Sequence, residues 1–251
     1  YICASDMHGT PIQMKAKELG EDPLTFSTRY SKEQLVDLEL FNINFDNFHN
    51  THSKENQELA IHFFKTLKQK DLIYTKEIEQ MFDQTAQQFL PDRFIKGTCP
   101  KCEAADQYGD ICESCGASYN PTDLIDPVSA ITNTTPILKK TTHYYFKLSK
   151  FQDKLQVWLD QADNALQPEV KNFVQNWIDQ GLKDWCISRD APYFGFEIPG
   201  SEAETGNIKY FYVWLDAPIG YISSTQNFCT DKLKSLTCNW KDYWKSDGSH
   251  V

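Results

Sequence analysis

Tyr1-Ile2-Cys3-Ala4-Ser5-Asp6-Met7-His8-Gly9-Thr10-Pro11 opens the chain and decides how the rest is read. The first four residues form a short apolar run suited to a buried strand. Thr10 as N-cap and Pro11 at the first helical position then start a helix through Ile12, Met14, Ala16 and Leu19, which Gly20 ends. A strand–loop–helix unit of this kind presents ligands at the carboxyl end of its strand, where Asp6 stands. A second such unit lies near the other end. Tyr210-Phe211-Tyr212-Val213-Trp214-Leu215 reads as a strand covered on both faces, and Asp216 as the N-cap of a helix that begins Ala217-Pro218. About 150 residues separate the two units, so the chain reads as one α/β domain interrupted by an insertion.

The intervening segments follow the same logic. Ser31 is expected to cap a helix with Leu35, Leu38 and Phe41 on one face, and Ser53 another with Leu59, Phe63, Leu67 and Leu72. Ile137-Leu138 and residues 143–148 are β-prone. Two further helices are expected, one through Phe151, Leu155, Trp158 and Leu159, the other through Val170, Phe173, Trp177 and Ile178, ending near Gly181. Residues 188–199 read as turn-rich and 200–207 as a polar hairpin tip or loop.

Inside the insertion stands Cys99-Pro100-Lys101-Cys102, then nine residues, then Cys112-Glu113-Ser114-Cys115-Gly116. Two Cys-x-x-Cys hooks place four thiolates tetrahedrally around one ion. Zinc accepts that geometry without strain, and iron in a rubredoxin-like site is the alternative metal. Two disulfides, or four buried thiols, are the readings without metal. Four protein ligands leave no open position, so Cys99, Cys102, Cys112 and Cys115 read as a structural site of a knuckle at 97–117 rather than a reacting centre. Gly116 is placed to take positive φ just past the second hook.

The bulk composition narrows the function classes. The chain has 251 residues, 40% hydrophobic and 14% aromatic, which describes a globular protein. A net charge of −10 argues against an autonomous nucleic-acid-binding face. No apolar run reaches the roughly 18 residues of a membrane span, and no signal peptide opens the chain. The other four cysteines, Cys3, Cys186, Cys229 and Cys238, are scattered, which suits a reducing cytoplasm better than a disulfide scaffold.

Several residues carry candidate chemistry. Asp6 at the strand exit can pair with a substrate ammonium group, or merely cap the following turn. Trp214, Ala217, Pro218 and Tyr221 combine two aromatics with two small residues, fit to shape a narrow pocket for a thioether or aliphatic chain, or simply to pack in the core. Arg189 can neutralise a carboxylate or phosphate, or pair with Asp190. His8, His49 and His52 can touch phosphates or ribose, but read first as hydrogen-bonding residues of the framework. No Gly-rich phosphate cradle and no Gly-x-Ser-x-Gly nucleophile motif occurs.

Taken together these stretches resemble the methionyl-tRNA synthetase family, closest to bacterial members with a single four-cysteine knuckle. The matching residues are Cys3–Pro11, Leu90–Phe94 running into Lys96–Pro100 and Gln107–Asp110, Ile187–Gly195, and Tyr212–Tyr221. The resemblance implies parts of a split Rossmann-type catalytic domain at 1–52 and 208–251, flanking an inserted zinc-knuckle connective peptide at 53–207. It also implies the reaction: methionine is joined to ATP with release of pyrophosphate, then transferred to tRNA. On these positions Asp6 would hold the methionine ammonium, Arg189 would organise the amino-acid site as the catalytic residue, and Trp214, Ala217, Pro218 and Tyr221 would line the thioether pocket. Structural Zn²⁺ would sit on the four cysteines, with ATP, Mg²⁺ and tRNA serving the full-length enzyme.

The family's His-Ile-Gly-His and Lys-Met-Ser-Lys-Ser signatures do not occur in these 251 residues. The chain is therefore expected to be a monomeric, cytoplasmic fragment, away from membranes, that is inactive alone because transition-state phosphate stabilisation is missing. The competing readings are a non-catalytic zinc-knuckle module that binds RNA or a protein partner, and a fragment of a related synthetase for another amino acid.

Overall fold

A computed structural model describes residues 1–161, 166–233 and 238–244. The tail of the expected second Rossmann segment, 245–251, lies outside the described residues. Strand β1 (Ile2–Ser5) pairs in parallel with β2 (Asn47–Asn50), Ile2 opposite Asn47 and Ser5 opposite Asn50. Between them run helices α1 (Thr10–Leu19) and α2 (Pro23–Leu40). Helix α3 (Lys54–Gln69) follows β2, capped by the Ser53 side chain as expected, at 3.3 Å from the Asn56 amide.

Two helix starts differ from expectation. Gly9, at φ 104°, precedes α1 and no side chain caps it, so Thr10 is already helical and Pro11 lies in the first turn. Helix α2 begins eight residues before Ser31. Asp22 accepts from the Thr25 amide at 2.9 Å and Pro23 follows it, a cap and first-position pair that outweighs a serine in mid-helix.

The middle of the chain is an antiparallel sheet. Strands β3 (Ile73–Asp83), β4 (Gln88–Phe89), β8 (Ile137–Phe146) and β9 (Trp185–Cys186) lie in the order β4-β3-β8-β9. The two β-prone stretches at 137–148 are thus one strand. Beside this sheet, β5 (Ile95–Thr98), β6 (Gln107–Tyr108) and β7 (Ile125–Ser129) form a small sheet that carries the cysteine hooks. Helices α4 (Gln152–Gln161) and α5 (Pro168–Asp179) fall where their periodicity put them, and Gly181 (φ 80°) follows α5. Residues 188–199 include β10 (Ser188–Asp190), and the loop expected at 200–207 holds a short helix, α6 (Ser201–Thr205).

The run 210–215 does not stay a strand. Strand β11 (Lys209–Phe211) pairs antiparallel with β10, and helix α7 (Val213–Asn227) begins two residues later, with Tyr212 as its cap residue. Asp216 is therefore inside the first turn and not at the N-cap. Its carboxylate turns inward to His8, a stronger partner in a dry core than a backbone amide. A second difference follows α7, where Cys229 and Cys238 form a disulfide with their Cα atoms 5.2 Å apart.

One core joins the parts. Ala60 and Phe64 of α3, Ile73, Tyr144, Ile187, Phe196, Ile198, Phe211 and Ile219 of α7 form a single buried cluster. It draws residues from both sides of the expected boundary at 207/208. A second cluster, Met81, Leu90, Phe94, Ile95 and Leu124, supports the small sheet from below. Among the described residues no helix is long and apolar enough to cross a membrane.

Candidate functional site

The end of β1 and the start of α7 meet at a buried polar chain. Asp216 Oδ2 contacts His8 Nδ1, with both side chains at most 1% exposed, and His8 Nε2 lies 2.8 Å from His52 Nδ1. With Asp216 ionised, His8 Nδ1 carries its proton, and the neutral His8 ring then accepts from His52 Nδ1–H. Phe194 and Phe196 stack on His52 and meet His8 edge-on. Burial and the nearby His8 push the His52 pKa down. Burial pushes the Asp216 carboxyl up against the opposing pull of His8.

Asp6 sits at the edge of this arrangement. Thr51 Oγ1 donates to Asp6 Oδ1 at 3.3 Å and accepts from the Met7 amide at 2.9 Å. Burial raises the Asp6 pKa, the His8 amide opposes the rise, and the Asp216 charge adds to it. Two carboxyl groups thus gather at the strand exit, which a bound cation would relieve. His49 stays part of the framework, near Glu55.

Arg189, on β10, occupies another wall of the same cleft. Its guanidinium carbon lies 3.6 Å from the centre of the Tyr212 ring, and Nη1 donates to Ser188 O at 2.8 Å. It does not pair with Asp190. That carboxylate is taken by the buried Lys209 ammonium, by His143 Nε2 at 3.0 Å and by Thr141 Oγ1 at 3.1 Å. No carboxylate among the described residues comes within ion-pair distance of Arg189, so its charge is available to a ligand.

Asp6, His8, Arg189, Tyr212 and Trp214 line one cleft of about 760 Å³. Ala217, Pro218 and Tyr221 do not line it. With Trp214 they repeat at i, i+3, i+4 and i+7 along α7, forming a stripe that leaves the cleft along the outward face of the helix. Trp214 is 63% and Tyr221 71% exposed, so the core-packing alternative does not hold for these two aromatics.

His8 and His52 are hydrogen-bonding framework residues as expected, and what the sequence does not display is that Asp216 joins them. The signal available was an aspartate inside an otherwise apolar helical run, but the strand assigned to 210–215 made it a cap.

The cysteine cluster lies apart from the cleft. The four sulfurs all lie within 4.8 Å of one another, with Cys99–Cys115 at 4.0 Å and Cys102–Cys112 at 3.6 Å. Sulfurs about 2.3 Å from a central ion in a tetrahedron stand about 3.8 Å apart, so the set fits one metal ion. Backbone amides point at two of the sulfurs, Lys101 N at 3.3 Å from Cys99 Sγ and Cys115 N at 3.4 Å from Cys112 Sγ. The two hooks repeat one turn. The Cys99 and Cys112 amides each donate at 2.9 Å, to Ala104 O and Ala117 O, and positive φ falls on Glu103 in the first hook and Gly116 in the second. Asp110 and Pro121, flanking the second hook, reach the rim of the cleft.

Comparison with solved structures finds the same fold in Mycobacterium tuberculosis methionyl-tRNA synthetase. The form bound by methionyl-adenylate matches over 97% of this chain and 42% of that one, with a TM-score of 0.64 and 21% identity. The apo form matches over 89% of this chain and 38% of that one, with a TM-score of 0.54 and 20% identity. The chain thus spans about two-fifths of the length of these relatives. A family profile described as tRNA synthetases class I (M) matches residues 1–251. With that match along its whole length, and with the strand-exit carboxylate and unpaired arginine facing one cleft, the chain belongs to the class I tRNA synthetases of the (M) group.

Proposed function

We propose that this chain supplies the amino-acid half of a methionine–tRNA ligase. The observation that carries the reading is the cleft itself, with Asp6 on one wall and an unpaired Arg189 on another. A free amino acid is a zwitterion, and those two charges match its ammonium and its carboxylate or adenylate phosphate. Asp6 binds and orients the ammonium. Thr51 holds the Asp6 carboxylate, and the Asp216–His8–His52 chain fixes the backbone at the strand exit. Arg189, held over the Tyr212 ring, holds the carboxyl end, so that its oxygen can bond the α-phosphorus of ATP as pyrophosphate leaves.

The thioether lies along Trp214, Ala217, Pro218 and Tyr221. A stripe with exposed aromatics suits an apolar side chain there, once further walls cover the face. Zn²⁺ on Cys99, Cys102, Cys112 and Cys115 supplies folding free energy to the 95–129 segment and no chemistry. On this reading Mg²⁺ accompanies ATP, tRNA takes the activated methionine, and the protein works as a cytoplasmic enzyme with a monomeric fragment. The connective peptide is 53–207, between Rossmann-type segments at 1–52 and 208–251.

The test is amino-acid-dependent ATP–pyrophosphate exchange by the complete polypeptide. Methionine alone should support it, and Asp6→Asn should raise the methionine KM about tenfold or more, the worth of one charge-assisted hydrogen bond. Exchange driven by leucine, valine or isoleucine instead would overturn the reading. The 251 residues by themselves should give no exchange, since they contain neither phosphate-binding signature.

A further inference from the structure

One hydroxyl proton in the cleft has no acceptor. Tyr193, on the segment after β10, is 6% exposed and lines the cleft together with Arg189, Val213 and Trp214. Its ring lies against the backbone, where a Cβ on Gly195 would come within 2.9 Å of Cε1, so the hydroxyl has a fixed place. Val213, the first residue of α7, donates its amide to the Tyr193 oxygen at 3.1 Å. That amide belongs to the set a helix start leaves without a partner of its own. From the other side, a Cβ on Gly9 would lie 3.7 Å from the same oxygen, and the Gly9 amide donates to Phe194 O at 3.0 Å. The hydroxyl therefore stands at the seam between the two walls. On one flank is the loop just past Asp6, and on the other is Tyr212, over which Arg189 lies.

A phenol oxygen that accepts from an amide still has a proton to give. Among the described residues no acceptor lies within hydrogen-bond distance of it. Asp216, whose charge reaches this oxygen, is taken by His8. Burial pushes the Tyr193 pKa up, against the Val213 amide and the Arg189 charge, so the phenol keeps its proton at neutral pH.

We propose that Tyr193 is a further binding residue of the amino-acid site: its hydroxyl donates a hydrogen bond to the substrate carboxylate beside Arg189. The proposal rests on the ligase reading for the presence of an amino acid in the cleft. A zwitterion narrows the choice of acceptor. Its ammonium offers only donors and a thioether sulfur accepts weakly, so the carboxylate is the strong acceptor. Arg189 supplies charge and Tyr193 a directed proton, and the positive end of the α7 dipole favours an anion at the same place. When one carboxylate oxygen bonds phosphorus, the other remains as the acyl carbonyl and keeps the Tyr193 hydrogen bond.

The test compares methionine with the amine left when methionine loses its carboxylate, by equilibrium binding to the complete polypeptide. Tyr193→Phe should weaken methionine about tenfold or more, the worth of a hydrogen bond to a charged group, and the amine by less than about twofold. Equal weakening of both, or no weakening of methionine, overturns the proposal and leaves Tyr193 as the acceptor for the first α7 amide only. Should Tyr193→Phe fail to fold, ring-fluorinated tyrosine placed at position 193 alone decides. It keeps the hydroxyl and makes it a stronger donor, so the preference for methionine over the amine should rise, and an unchanged or smaller preference overturns the proposal. Exchange driven by another amino acid would sink the methionine reading alone. The same comparison, made with that amino acid and its own decarboxylated amine, would still decide the role of Tyr193.

Discussion

Asp83 illustrates how far a single side chain can depend on its surroundings. It is fully buried at the end of β3, where Thr132 Oγ1 donates at 2.6 Å and the Thr85 and Ala86 amides at 2.8 and 2.9 Å. Burial alone would raise its pKa, but these donors and Ser129 hold it at about 2. A carboxyl depressed in the folded state stabilises fully above its unfolded value near 3.9, and that contribution vanishes as pH falls through the folded value. Acid titration of folding stability should therefore show about 2 kcal/mol lost between roughly pH 4 and pH 2, and Asp83→Asn should remove most of that dependence. The knuckle hooks give a second prediction at this scale. Glu103 takes the left-handed backbone (φ 60°) that Gly116 takes in the other hook (φ 73°). Gly116→Ala, which meets nothing within 4 Å, should cost about 1 kcal/mol from backbone strain alone, and Glu103→Gly should be neutral or slightly stabilising. Thermal unfolding of the metal-loaded chain measures both.

At the scale of elements, the two faces of α7 differ in burial, and the proposed function gives them different roles. Ile219, Gly220, Ser223 and Ser224 are buried, and a Cβ on Gly220 would lie 2.9 Å from Thr51 Cγ2. Thr51 is the residue that holds both Asp6 and the Met7 amide. Gly220→Ala should therefore destabilise the fold by about 1–3 kcal/mol and, by displacing Thr51, weaken methionine binding in the complete polypeptide. The outward face should behave in the opposite way. Tyr221→Ala removes an exposed ring, so stability should change by less than about 0.5 kcal/mol while the methionine KM rises. Denaturant titration beside exchange kinetics distinguishes the two faces. A large stability loss for Tyr221→Ala would return this stripe to the packing role. Element boundaries were also where sequence and structure parted: Asp22-Pro23 outweighed Ser31, and the apolar run 210–215 split into a three-residue strand and a helix start. Buried strands and buried helix starts both read as unbroken apolar residues, and only length and neighbours separate them.

For the whole molecule, the metal site and the core define two separable stabilities. Removing the ion with a chelator, or Cys112→Ser, should expose amides in 95–129 to hydrogen exchange, because the small sheet rests on only a modest apolar cluster. The amides of β3 and β8, and of α3 against α7, should stay protected, since their core does not include the knuckle. Loss of protection everywhere would mean the ion stabilises the entire fold. The sequence by itself determined the four-cysteine knuckle, the strand-exit Asp6, the Ser53 cap and the helices at 152–161 and 168–179. Each is a local matter of spacing, capping or periodicity, which a linear chain displays openly. Tertiary structure alone decided that Asp190 is claimed by Lys209 and His143, leaving Arg189 unpaired, and that Asp216 reaches across 208 positions to His8. It likewise joined Cys229 to Cys238. Such pairings depend on which charges meet in a space without water, and that competition exists only once distant segments are packed together.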